Sequence, residues 1–247
     1  MQAYPFTIAV LSFLIIAAVF TALRKAVKEK SDTPPKLLAA RRGDQLADTI
    51  MSGQINLIVI GLFLAYAERP AAMAFGYNGG EVPIALSFVL GAICYLVFIG
   101  AFTLVVKIFG NQDDQLVAAY LAHRSIWPRT AQKRRKLVAA LTLNPFTEEL
   151  LYRGFLIYYL GNLLDSIALF SALGIAVCLT IHVYQGVRML PFHACFCVVS
   201  IVILFSPLGI VGCFGLHLVG DLLPLTQIKH QLEAWKAARR RKRLNAA

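Results

Sequence analysis

The stretch NPFTEELLYR, residues 144–153, sets Glu148, Glu149 and Arg153 among Leu, Phe and Tyr. Glu149 and Arg153 are four apart, so on a helix they share a face and can neutralise each other. Glu148 lies about 100° further round the same helix and is left for another partner. An ion pair gluing two helices together accounts for the first two residues but gives Glu148 no purpose. Asn144-Pro145 sits one turn earlier, where proline removes a donor and is expected to kink the helix and free backbone groups near the carboxylates.

Two further segments supply matching chemistry. CLTIHVYQG places His182 in apolar surroundings, and GLHLVGDLL puts His217 and Asp221 four apart on one face. Each histidine alone reads as a packing residue, and His217 with Asp221 as a helix-to-helix hydrogen bond, a metal ligand pair or a catalytic dyad. Taken with Glu148, they suit activation of water by a carboxylate and an imidazole, with a second imidazole donating to a developing oxyanion. The sequence holds no G-x-S-x-G, no H-E-x-x-H and no Cys–His pair at catalytic spacing, which counts against the common soluble protease designs.

The elements that position these residues follow from composition. The 247-residue chain is 58% hydrophobic and 15% charged, well away from the balance of soluble domains. Residues 83–106 contain no charge, His, Asn or Gln, and exceed the ~20 residues that cross a bilayer. The expected fold is all-α, a polytopic transmembrane helical bundle of about seven spans (six to eight). The spans are placed at 4–23, 52–67, 83–106, 137–160, 167–187, 190–205 and 208–227. Three parts are expected: 1–136, with three transmembrane helices and two basic loops; 137–228, the helical core that would carry catalysis; and a basic tail, 229–247.

Charge patterning fits that division. Lys and Arg cluster at 24–42, 107–136 and 229–243, so the net charge of +11 reads as a positive-inside signal and not as a nucleic-acid surface. The N-terminus is then outside and the C-terminus in the cytoplasm, with Trp235 anchoring an interfacial tail helix. The first apolar run lacks a preceding basic region, unlike a cleaved signal. Cys94, Cys178, Cys195, Cys197 and Cys213 fall in apolar segments without zinc or redox spacing and read as small hydrophobes.

Ionisable residues inside the spans are costly, ~2.5–3.5 kcal/mol each at mid-bilayer, and normally face the bundle interior. They are Glu148, Glu149, Arg153, His182, Arg188, His193, His217 and Asp221, concentrated in spans four to seven, with Arg188 at the edge between spans five and six. Glu148, His182 and His217 fall at similar depth, His182 nearer the cytoplasmic face. His193 follows Pro191 at a span start and is expected to be exposed at the interface, and Arg188 to snorkel.

The order EELLYRG (148–154), His182, then HLVGD (217–221) resembles the CPBP or Abi family of CAAX prenyl proteases and bacteriocin-processing enzymes. That family's pattern is two glutamates, three residues and an arginine; Phe-x-x-x-His; and His with Asn or Asp four later. The resemblance covers about 137–228 and leaves the first three spans outside. It implies that Glu148 activates water with His182, that Glu149 and Arg153 brace it, and that His217 and Asp221 stabilise the oxyanion. Cys178 stands at the second motif's Phe position. Asp221 would have to be protonated or screened, because a bare anion repels an oxyanion. The family has been viewed as metal-dependent too; zinc on Glu148, His182 and His217 is the alternative to the favoured cofactor-free water activation.

The expectation is an intramembrane endopeptidase in the bacterial cytoplasmic (inner) membrane, acting on a membrane-associated or lipidated peptide or protein and on no nucleic acid. Two alternatives are a non-catalytic family member that binds and regulates a membrane partner, and a proton-coupled transporter. The transporter is disfavoured by the absence of duplicated halves with broken helices.

Overall fold

A computed structural model describes residue 76, residues 82–110, 130–183 and 189–226, and residues 233, 236 and 237. The first two expected spans, both long basic loops for most of their length, Arg188, Trp235 and nearly all of the tail lie outside these residues. Among the described residues every regular element is helical and there is no strand. The helices are α1 (Ile84–Phe109), α2 (Ala131–Glu148), a π-helical segment (Glu149–Tyr159), α3 (Leu160–Leu163), α4 (Ile167–His182), α5 (Leu190–Leu204) and α6 (Gly209–Thr226).

Two of them, α1 with 26 residues and α6 with 18, are long and apolar enough to cross a membrane. The apolar helices of α4 and α5 are shorter. Large side chains on α1 such as Val97, Leu104, Ile108 and Phe109 are exposed, the surface expected of a helix whose solvent is lipid. Its buried residues are Ser87, Gly91 and Tyr95, which form one narrow stripe.

That stripe packs against α6, and glycine makes the crossing close. A Cβ on Gly91 would collide with the Gly212 carbonyl, and one on Gly215 with the Phe88 carbonyl. Small residues at such a contact let backbones approach where the surrounding solvent gives no hydrophobic drive to associate. Tyr95, Phe196, Ile203, Leu204, Ile210, Cys213 and Leu216 fill the core between α1, α5 and α6. A second cluster on the π-helical segment, with Tyr152, Phe155 and Tyr159, takes Phe170 and Val177 of α4 against it.

Span four differs from its expected form at its start and in its middle. Helix α2 starts at Ala131, six residues before the expected boundary at 137, because Thr130 caps it by accepting from the Lys133 amide at 3.4 Å. Its basic first turns are mostly exposed. Pro145 is carried inside the helix, and the kink expected there appears instead as a change of helix type at Glu149. In the eleven residues of wider π-turn, Leu151 to Ile157 are all buried. Such segments occur where side chains must be re-aimed, often at functional sites.

The break at SPLG (206–209) ends α5 and starts α6. Gly209 adopts φ 55°, which suits a residue without Cβ, and its amide donates to the Ser206 carbonyl at 3.1 Å. This turn brings α6 back along α5, so that His217 returns to the depth of the glutamates. In the tail, Glu233, Lys236 and Ala237 are helical, and Lys236 pairs with Glu233 at 2.7 Å.

Candidate functional site

The site is assembled where α2 and the π-helical segment meet α5 and α6. Glu149 is its fixed point, with 0% exposure. Burying a carboxylate is expensive unless each oxygen is answered. Three helices answer this one. Arg153 Nη1 lies 3.3 Å from Oε1, His217 Nδ1 donates to Oε1 at 2.6 Å, and Ser200 Oγ donates to Oε2 at 3.2 Å. The expected Glu149–Arg153 pair is present, still on one face although the segment is π-helical. Arg153 extends the network by donating from Nη2 to Cys197 Sγ at 3.4 Å, and Cys213 Sγ donates to the Ser200 carbonyl at 3.2 Å.

His217 joins this sealed network to an open one. Its Nδ1–H serves Glu149, so the other ring nitrogen, Nε2, faces Glu148 Oε2 at 3.8 Å and Asp221 Oδ1 at 3.6 Å. Both distances are beyond a direct hydrogen bond but within Coulombic reach. Asp221 Oδ2 accepts from Asn144 Nδ2 at 3.3 Å. The side chains of Glu148 and Asp221 are 24% and 21% exposed, against 0% and 4% for Glu149 and Arg153. The adjacent glutamates therefore face different surroundings. Phe196 closes one flank, edge-on to the His217 ring at 5.4 Å.

The structure thus gathers Glu148, Glu149, Arg153, His217 and Asp221 into one connected cluster. His182 stands beside it on α4, close enough for Glu148 to act on it electrostatically. Its Nδ1 donates to the Cys178 carbonyl at 2.8 Å, and Cys178 Sγ lies 3.8 Å from the same nitrogen. A carbonyl only accepts, so the ring proton is on Nδ1 and Nε2 carries a lone pair. Cys178, at the position where the family pattern has Phe, is therefore part of what orients His182.

His193 corrects one expectation. It is 8% exposed, not a surface residue at the interface, and its ring lies against that of His182 with centroids 4.1 Å apart. Within α5, which carries Pro191 in its first turn, His193 lies on the buried face and edge-on to Phe192. Position along a span said nothing about rotation around it. Ser200, Cys197, Asn144 and His193 all touch the cluster or its histidine, and none was singled out from sequence for that role. The only hint was the spacing of Cys178-x-x-x-His182 and His193-x-x-x-Cys197, which puts each pair on one helical face.

Among the described residues, no three His, Cys, Asp or Glu side chains are grouped so that they could hold a metal ion. Nδ1 of both His182 and His217 is directed to an internal acceptor, and Glu148 Oε2 lies 3.8 Å from Nε2 of His217.

The described residues thus place an ionisable centre, half sealed and half partly exposed, across apolar helices. Residues 132–223, which contain every residue of this centre, match the family model for type II CAAX prenyl endopeptidase Rce1-like proteins. The likeness lies in this segment, and it is a likeness to a family of membrane-integral proteases. No curated protein and no solved structure matches the chain.

Proposed function

We propose that the protein is an intramembrane endopeptidase of the CAAX-protease type, hydrolysing a peptide bond with water activated by Glu148. The observation that carries this reading is the contrast between the two adjacent glutamates. Glu149 is spent on Arg153, His217 and Ser200, whereas Glu148 is a quarter exposed and approaches imidazole without being consumed by a hydrogen bond. A base must be within reach of the proton it removes and open to the water that carries it.

In this scheme Glu148 takes a proton from water as oxygen attacks the scissile carbonyl, and returns it to the leaving nitrogen. His182, with its Nε2 lone pair, shares that water. His217, doubly protonated and held by Glu149 through Nδ1–H, presents Nε2–H where negative charge develops. Arg153 and Ser200 hold Glu149, so the ring cannot swing away. No covalent nucleophile or bound metal enters any step. The substrate is a membrane-associated or lipidated peptide or protein reaching the site from the bilayer; the setting is a bacterial cytoplasmic membrane, with seven spans, the N-terminus outside and the tail inside. The organisation is the one read from sequence, with the catalytic core in the last four spans. Nucleic acid has no part in it.

The test is cleavage by detergent-purified protein of peptides ending in a CAAX box, with and without a farnesyl group, in the presence and absence of chelator. The expected result is a defined cleavage product that chelator does not diminish and that Glu148→Ala and His182→Ala abolish. Wild-type turnover in either variant contradicts the mechanism. If the wild-type protein cleaves none of the peptides while Glu148→Ala retains the cellular phenotype, the chain is instead a non-catalytic member that binds a membrane partner.

A further inference from the structure

Asp221 poses a chemical problem for the proposed hydrolysis that the structure solves with a residue from another helix. An ionised aspartate offers only lone pairs, so it cannot donate to the oxyanion of a tetrahedral intermediate and repels it. An asparagine at that position would have carried the donor itself. Here the amide is on the opposite wall. Asn144 Nδ2 donates to Asp221 Oδ2 at 3.3 Å, across a sequence separation of 77 residues.

Asn144 is also placed correctly with respect to the base. It precedes Glu148 by four residues within α2, so the two side chains lie one above the other on one face. Both are partly exposed, as is Asp221. Asn144, Glu148, Asp221 and the Nε2 edge of His217 are therefore neighbours on the partly exposed side of the cluster, with the sealed Glu149–Arg153 network beside them.

We propose that Asn144 is a catalytic residue, its side-chain amide donating to the carbonyl oxygen of the scissile bond, with Asp221 as the positioning residue that orients the amide. The assignment rests on the proteolytic reading above. When water attacks, a C–O bond forms, the water proton passes to Glu148, and the carbonyl π pair moves to oxygen, which accepts from Asn144 Nδ2 and, with His217 doubly protonated beside the Glu149 carboxylate, from His217 Nε2–H. Collapse restores the carbonyl, breaks the C–N bond and delivers the proton from Glu148 to nitrogen. No oxidant, metal or second substrate is required. The carboxylate of Asp221 then has a use that does not place it against the oxyanion: it holds and polarises the donor.

The experiment uses the detergent-purified full chain and an internally quenched farnesylated CAAX peptide. Removing one oxyanion donor lowers kcat by ~10²–10³-fold in well-studied hydrolases, and that drop, with KM little changed, is expected for Asn144→Ala. Asn144→Leu keeps the volume, removes the amide and is expected to behave alike, with an unfolding midpoint near that of wild type. The double variant Asn144→Ala/Asp221→Asn moves the amide to α6 and is expected to recover at least ~10-fold of the loss. A residue needed only for packing would not be rescued in this way. Wild-type kcat in Asn144→Leu, or a folded double variant as slow as Asn144→Ala, overturns the assignment while leaving the endopeptidase reading intact if Glu148→Ala is still inactive. If the wild-type chain leaves the peptide uncut, the reading and the assignment fall together.

Discussion

Glu148 and Glu149 are neighbours in the chain and opposites in the structure. One carboxylate sits at 0% exposure with donors from three helices; the other is 24% exposed and meets only the far edge of an imidazole. Around them the molecule divides in the same way. Arg153, Ser200, Cys197 and Cys213 extend the closed side into the core, and Asn144, Asp221 and His182 belong to the open side or border it. His217 is shared, with one ring nitrogen in each half. A buried ion pair adds little net stability over apolar packing, but its geometry is hard to disturb. Holding His217 with a saturated carboxylate fixes the reactive side without placing reactive groups in the frame.

Breaking the open side should remove activity and spare the fold. Glu148→Gln keeps the shape and removes the base, so cleavage of any accepted peptide should fall to background while the unfolding midpoint stays close to wild type. Breaking the closed side should do the reverse. Arg153→Leu leaves Glu149 as an uncompensated buried charge, a change worth about 3–5 kcal/mol, visible as loss of folded protein in detergent or a large fall in unfolding midpoint.

Smaller changes sharpen the division. Ser200→Ala removes one hydrogen bond to a buried carboxylate and should cost about 1.5–3 kcal/mol, read by denaturant unfolding, with turnover falling less than stability would for Arg153→Leu. Gly215→Ala acts away from both halves: its Cβ meets the Phe88 backbone, so α1 and α6 must separate. Overpacking of this kind costs about 1–3 kcal/mol, and turnover per folded molecule should be retained.

Much of this division was legible in the sequence because it depends on local spacing. The i,i+4 relation gave the Glu149–Arg153 pair and set Glu148 apart, and long, mostly apolar runs marked α1, α4, α5 and α6. The order EE-x-x-x-R, His, His-x-x-x-Asp pointed to the family whose model residues 132–223 match. What remained hidden depends on rotation and on distant partners. Ser200 and Cys197 look like packing residues in an apolar run until α5 turns them toward Glu149 and Arg153. His193 seemed interfacial because its depth was visible and its rotation was not. The π-helical segment has no residue that demands it; proline four residues earlier signalled a disturbance, but its form follows from the helices packed around it. The Asn144–Asp221 bond joins two helices 77 residues apart, and no periodicity reaches that far.

The most direct test pairs the two glutamates in one measurement. Glu148→Gln and Glu149→Gln are purified side by side, and each is assayed for unfolding midpoint and for peptide cleavage per folded molecule. The predicted result is a stable, inactive Glu148→Gln beside a destabilised Glu149→Gln whose surviving folded fraction still cleaves measurably. A stable Glu149→Gln together with an active Glu148→Gln would contradict the division of labour on which the account stands.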